Sequence, residues 1–515
     1  MWWQRSLIQI GSGAPYRLIL GGFALGGVGL LLSLLPLDRA TLLVLGALAT
    51  ALVLADPVWA LYIAVLSVPV QELLLLPGGL SVTQVALLLC LASLSIHTLG
   101  RHEQPLQFGR LFAPLALFMW VLAAATLFTP YSRSEALRET IRWSTVPLIY
   151  LLTLYALRGA TWRLGGLIVC LILAPALTAL IGIGQFWFGI GPESFAIGGG
   201  HVRAYGTIGQ PNSFAGYMNQ AWPLAVGVAL AALAMLWIDA PRRRYLITLA
   251  GAAAAAFLTG AALLVSFSRG GWVGALGGLI VLTLAGGHLM PSQLRMSVRQ
   301  LIIGATAGLL LLLLLGGSGL LPTAVVQRAT SLVGNLRIFD ARGADITPTN
   351  FAVVERMAHL QAAWNMLQRH PLLGVGPGNY TIAYETPPGP DQPPMSVRPW
   401  YESRGHAHNY YLHIAAEAGI LGLCAYLLLI GALVLQALRA LRTARGWLWR
   451  GVAVGATGVV ATVAFHNLFE QLHVLNMGLQ LGPIWALLVA AEHHGHDELS
   501  QTGNSALSGS QRPSC

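Results

Sequence analysis

The stretch His406-Ala-His408-Asn409-Tyr-Tyr closes a long polar loop and opens an apolar segment running through Gly419-Ile-Leu-Gly422. In a chain that is 56% hydrophobic and 9% charged, a titratable pair at the edge of an apolar helix marks a candidate reaction centre. The positive end of a helix dipole, together with nearby arginines, disfavours an imidazolium at such a position. A neutral imidazole accepts a proton, so His408 is a candidate general base. His406 is its partner or only a hydrogen-bonding neighbour, and Asn409 is a supporting residue.

Other polar islands interrupt the apolar runs. Arg203-Ala-Tyr-Gly-Thr-Ile-Gly-Gln-Pro-Asn212-Ser213 reads as a tight turn with Asn212 or Ser213 capping the next helix. Ser266-Phe-Ser268-Arg269-Gly-Gly-Trp sets an arginine between two spans with almost no loop. A charge that close to hydrocarbon is functional by default, the alternative being a snorkelling side chain. Arg356 lies on an amphipathic helix, where a solvated arginine is the plainer reading. The glycines of His370-Pro-Leu-Leu-Gly374-Val-Gly376-Pro-Gly378-Asn379 lack the Lys-Ser/Thr and the strand and helix of a nucleotide-binding loop. A turn packing this segment against the membrane domain fits better.

His466 and Glu470 are four residues apart and share a helical face. The carboxylate orients the imidazole or a sugar hydroxyl, or the two form a structural pair at the bundle end. Glu492-His-His-Gly-His496-Asp497 invites only adventitious metal, and Cys90, Cys170, Cys424 and Cys515 show no ligand spacing. No metal, cofactor or nucleic-acid partner is expected. All 29 basic residues are Arg, giving a net charge of +10. That reflects codon usage and membrane topology, or an anionic phosphate-bearing substrate, which arginine grips in a bidentate fork.

These residues must be positioned by membrane helices. A mean hydropathy of +0.67 and repeated apolar runs describe an all-α polytopic membrane protein and exclude a soluble enzyme. Candidate spans fall near 17–36, 40–55, 57–75, 80–99, 109–129, 143–158, 163–189, 213–237, 245–266, 271–288, 300–321, 410–436, 451–469 and 474–491. That is about 12–14 transmembrane helices, some of them re-entrant or interfacial. Arginine-bearing loops near Arg101, Arg158, Arg242, Arg295 and Arg442 are expected to be cytoplasmic, with both termini. The 190–212 loop, the Ser266–Gly270 turn and the 322–408 loop are then extracytoplasmic. Arg133, Arg138 and Arg142 violate this rule, on a segment that reads as a surface helix over 134–143. Residues 1–491 form the membrane domain, with 322–408 inserted in it, and 492–515 form a disordered cytoplasmic tail. Within the loop, Met357, Leu360, Trp364 and Leu367 predict a helix over 351–368. The proline-rich stretch after Thr386 predicts an irregular flap.

An extracytoplasmic pocket with several arginines, one base and no close carboxylate pair suits glycosyl transfer from a lipid diphosphate. Diphosphate leaves without a general acid, so the site needs only charge stabilisation and deprotonation of an acceptor hydroxyl. Nucleotide sugars are scarce outside the membrane, which favours a lipid-linked donor.

Several motifs carry a family resemblance: Arg203-Ala-x-Gly-Thr with Pro211-Asn212; Ser268-Arg269-Gly270; Arg356 with Trp364 and His370-Pro-Leu-Leu-Gly-Val-Gly-Pro-Gly-Asn; and His408-Asn409 before Gly419-x-x-Gly422. In this order they resemble the O-antigen ligase and polymerase superfamily over roughly residues 200 to 425. The resemblance implies a GT-C-like, metal-independent, inverting glycosyltransferase of the bacterial inner membrane. Its donor would be an undecaprenyl-diphosphate-linked glycan, and its acceptor a glycan, lipid or protein. It implies that Arg269 and Arg356 grip the diphosphate and His408 activates the acceptor, with Arg203 and His466 in supporting or acceptor-side roles. A polymerase of the same superfamily and a transporter of a lipid-linked glycan or small anion are the rival readings. A transporter would favour inverted repeats and broken helices, neither of which is evident in the sequence.

Overall fold

The computed structural model describes residues 33–71, 81–101, 107–158, 161–238, 242–287, 340–347, 350–390, 393–397, 405–471 and 477–509, with a few isolated residues between. The expected spans 17–36 and 300–321 and the first part of the 322–408 loop lie wholly or largely outside them. The described chain is almost entirely helical. It runs α1 (Leu37–Ala55), α2 (Val58–Ser67), α3 (Val82–Arg101), α4 (Phe112–Leu127), α5 (Arg133–Ala156), α6 (Thr161–Phe188), α7 (Pro211–Asn219), α8 (Trp222–Ile238), α9 (Arg243–Val265), α10 (Arg269–Gly286), α11 (Phe351–Arg369), α12 (Tyr380–Glu385), α13 (Tyr410–Thr443), α14 (Trp447–His466) and α15 (Gly478–Gly509). A small hairpin of β1 (Ala196–Gly198) and β2 (His201–Val202) lies between α6 and α7.

Six of these stretches are long and apolar enough to cross a bilayer: Trp162–Phe188, Pro211–Ile238, Arg243–Val265, Arg269–Gly286, Tyr410–Thr443 and Trp447–His466. Shorter apolar helices occupy four of the other expected spans. The surface helix and the span read separately around Trp143 are one continuous helix, α5, which carries Pro147 inside it. Its arginines are matched by carboxylates one turn away: Arg138 bonds Glu135 at 2.8 Å, and Arg142 pairs with Glu139. That pairing is how α5 accommodates charges that the loop rule did not. Helix α15 continues to Gly509, into the stretch read as a tail, and its Glu492 carboxylate is buried against Gln436.

Helix α13 is broken at Gly419, whose φ of 67° and ψ of −167° are not helical. A break inside an apolar helix frees backbone groups that hydrocarbon cannot satisfy. The 371–376 loop satisfies them here. The carbonyls of Pro371 and Leu372 accept from the N–H groups of Ile420 and Leu421, while Val375 and Gly376 donate to the carbonyls of Ala416 and Glu417. Only glycine allows this approach, because a Cβ on Gly419 would lie 2.2 Å from the Leu372 carbonyl carbon. The glycine-rich loop is thus the packing turn expected from the sequence. Around it α11 and α12 form a second core, with Val354, Ala358, Ala362, Met366, Val375 and Tyr384 buried. Trp364, one of the four residues whose spacing predicts this helix, is 53% exposed, and the buried face is made largely of alanines.

Candidate functional site

Four helix ends converge. The Tyr410 N–H at the start of α13 donates to the Asn467 carbonyl just past α14, at 2.8 Å. A Cβ on Gly270, at the start of α10, would sit 2.9 Å from both His466 and Phe469. The starts of α7, α10 and α13 therefore meet the end of α14.

His408 immediately precedes α13. The Asn409 side chain caps that helix by accepting from the Leu412 N–H at 2.9 Å, and its amide donates to the Leu468 carbonyl at 3.1 Å. Asn409 thereby fixes the direction in which His408 leaves the helix. His408 itself has φ 53°, and among the described residues the one other non-glycine with positive φ is Phe267, at 51°. Such backbone costs about 1–3 kcal/mol and collects at functional sites. Phe267 sits directly before Ser268, which caps α10 by accepting from the Gly271 N–H, and Arg269 is the first residue of that helix. The two strained residues thus flank the two side chains singled out most strongly by the sequence. Arg269 is 6% exposed.

Glu470 is the hub. Its Oε1 lies 2.5 Å from His406 Nε2 and 3.5 Å from His408 Nδ1. Its Oε2 accepts from the Asn212 amide at 2.7 Å. Asn212 Oδ1 in turn accepts from Arg203 at 2.8 Å, and Arg203 Nε donates to the Ser266 carbonyl at 2.9 Å, beside the α10 cap. One continuous polar chain therefore joins the Arg203 and Ser266 segments to both histidines. Asn212 does not cap α7; Gln210 holds that position without a side-chain bond, and Asn212 serves as the bridge. Glu470 also does not pair side chain to side chain with His466. His466 is wholly buried and its Nδ1 lies 3.2 Å from the Asn219 amide, which also donates to the Gly271 carbonyl. It locks α7, α10 and α14 together.

Helix α11 closes the other side. His359 packs edge-on to His408 with ring centroids 5.8 Å apart, and it stacks on Tyr384. Arg356, one turn earlier, is near enough to influence the His408 charge. His359 was missed in the sequence, although its three-residue spacing from Arg356 places both on one face. The buried His413–Glu417 pair on α13, 3.5 Å apart, was missed as well. Glu417 accepts from the Tyr380 N–H and so anchors α12.

His408 Nε2 is buried without a hydrogen-bond partner among the described residues, while Nδ1 faces Glu470 Oε1 across 3.5 Å. Burial first, then the neighbouring His406 and Arg356, push its pKa down to about 4, against the opposing pull of Glu470. The expected neutral imidazole is present, but burial dominates rather than the helix dipole. Burial would raise Glu470, yet the His406 and His408 imidazoles hold its carboxyl well below the usual carboxylate range. The site therefore holds an ionised carboxylate beside a neutral imidazole. A hydroxyl presented to the free face of His408 can lose its proton there, and Glu470 can stabilise the imidazolium that results.

His406, His408 and Glu470 also place donor atoms within 4.8 Å of one another, a donor set that a divalent cation could use. The direct His406–Glu470 bond occupies two of those donors, and Arg203 and Arg356 nearby favour anions over cations.

Residues 254–427 match the protein-family model for O-antigen ligase. That segment contains Arg269, Arg356, His406 and His408, whereas Arg203, Asn212 and Glu470 lie outside it. No curated protein matches the chain.

Proposed function

From the match of residues 254–427 to the O-antigen ligase family model, we propose that the chain is a membrane enzyme of that superfamily and transfers a glycan from an undecaprenyl-diphosphate carrier to an acceptor hydroxyl. The transfer takes place at the extracytoplasmic face of the bacterial inner membrane. His408 removes the acceptor proton as the acceptor oxygen bonds to the anomeric carbon. The bond from that carbon to the diphosphate oxygen breaks with inversion, and the lipid diphosphate leaves with its charge on Arg269, Arg356 and Arg203. Glu470 holds the Nδ1 side of His408, which leaves Nε2 to take the proton. No metal enters this scheme.

The observation that carries the reading is the buried imidazole of His408, with Nε2 unpartnered and Nδ1 beside the Glu470 carboxylate, which is wired through Asn212 to Arg203. An acid–base pair of this kind suits deprotonation of an acceptor hydroxyl. The break in α13, which a transporter would use to bind an ion, has its backbone groups closed by the 371–376 loop. The acceptor is a lipid, a protein hydroxyl or a second lipid-linked glycan.

The test uses purified protein in liposomes with a lipid-diphosphate glycan and a labelled acceptor. His408→Ala and Arg269→Ala are expected to abolish transfer while the protein stays folded. Undiminished transfer by His408→Ala would remove the base, and movement of label without a new glycosidic bond would favour a transporter.

A further inference from the structure

Helices α10, α13 and α14 leave an apolar groove of about 1140 Å³ between them, which opens at the end of the bundle opposite His408. Leu284, Leu438, Leu441, Val460 and Ala461 line it, and Arg442, Arg445 and Arg450 stand at its mouth. The groove follows α14 from Arg450 to Phe465, about 22 Å at 1.5 Å per residue, which is more than half the hydrocarbon thickness of a bilayer. Arg442 and Arg445 are exposed. No acidic residue occurs between Glu417 and Glu470, nor anywhere in α10, so the sequence of the groove helices around Arg442 and Arg445 is basic without a carboxylate. Contact of Tyr245 with Trp447, at 5.3 Å, brings the Arg242-Arg243-Arg244 start of α9 to the same end.

We propose that this groove binds an anionic phospholipid, with an acyl chain along α14 and the phosphate on Arg442 and Arg445. Charge complementarity selects the occupant. A basic mouth on an apolar slot between membrane helices recognises an anionic headgroup, and the guanidinium fork fits its phosphate. A zwitterionic lipid fills the slot equally well but gains less at the mouth. The basic mouth lies at the far end of α14 from Glu470, although the apolar walls reach Phe465 beside His466, and the lipid site does not depend on the proposed reaction.

The test is native mass spectrometry of the full-length protein, delipidated in a neutral detergent, with dioleoyl phosphatidylglycerol or dioleoyl phosphatidylcholine as probe. Two arginines at the surface-charge value predict about thirtyfold tighter binding of phosphatidylglycerol. The double variant Arg442→Gln/Arg445→Gln is expected to bind both lipids alike. Ala461→Phe, which narrows the slot with the arginines intact, is expected to weaken phosphatidylglycerol binding. Equal binding by the unmodified protein, or a preference that survives the double variant, would overturn the proposal. So would an Ala461→Phe variant with unchanged phosphatidylglycerol binding and a raised KM for a polyprenyl-diphosphate donor, since the groove would then belong to the donor's own chain.

Discussion

Replacing Glu470 with glutamine keeps the side-chain volume and an oxygen to face the Asn212 amide, but removes the charge at the centre of the site. Glu470 Oε1 is 3.5 Å from His408 Nδ1. At an effective dielectric of about 20, a carboxylate and an imidazolium at that separation attract by about 5 kcal/mol, a ceiling on what the charge contributes. Loss of a single charged hydrogen bond costs about 1.5–3 kcal/mol, and this lower figure governs because the neighbours relax around the glutamine. About 2–3 kcal/mol less stabilisation of the imidazolium lowers kcat by about 30- to 150-fold. The donor KM is expected to move less than kcat, since Glu470 reaches the diphosphate arginine Arg203 only through Asn212. Steady-state transfer in liposomes, measured from pH 4 to pH 8, reads both effects. His408 takes up its proton at about pH 4 in the folded protein, well below the ordinary histidine value near 6.5. Its neutral form is therefore complete above that ordinary value, and both activity and the stability linked to it decline as pH falls towards 4. Glu470 raises the proton affinity of His408, so Glu470→Gln moves the acid limb to lower pH. A variant with kcat within about threefold of the unmodified enzyme, or with an acid limb at higher pH, would refute the assignment of Glu470 to the base.

Two further outcomes are expected. Prolonged treatment with a strong chelator leaves glycan transfer unchanged; a loss restored by added zinc or magnesium would instead give His406, His408 and Glu470 to a metal. Gly419→Ala forces about 1–3 kcal/mol of backbone strain and drives a methyl group into the Leu372 carbonyl. That variant is expected to melt at lower temperature in detergent and to expose the 371–376 loop to protease, and equal melting with equal resistance would refute the interlock.

The parts of this site that were legible in the sequence are those where a polar residue interrupts hydrocarbon. Arg269 and His408 stood out because an apolar chain has no cheap place for them. Glu470 was recognised as a partner, but its helical spacing pointed to His466, whereas the turn after α14 swings its carboxylate towards His406 and Asn212. Asn212 was read as a cap because short polar residues beside a helix start usually cap it, and only the tertiary fold sets Arg203 and Glu470 on either side of it. His359 went unnoticed because a histidine on an amphipathic helix has no local signature. The fold class followed from hydropathy alone. Helix α5 did not, because its arginines suggested a boundary while the carboxylates that neutralise them sit one turn away.

The break at Gly419 separates two jobs that one continuous helix would have to perform together. Residues 410–418 carry the site end of α13 and are fastened by backbone bonds to the 371–376 loop, while the segment beyond Gly419 spans the apolar bundle. A bilayer of different thickness is met by tilting or lengthening a transmembrane segment. In this protein that adjustment falls on the long portion beyond Gly419, and the short stub beside His408 keeps its register. Additions or deletions between Ile420 and Thr443 would change how the protein fits its membrane without moving His408.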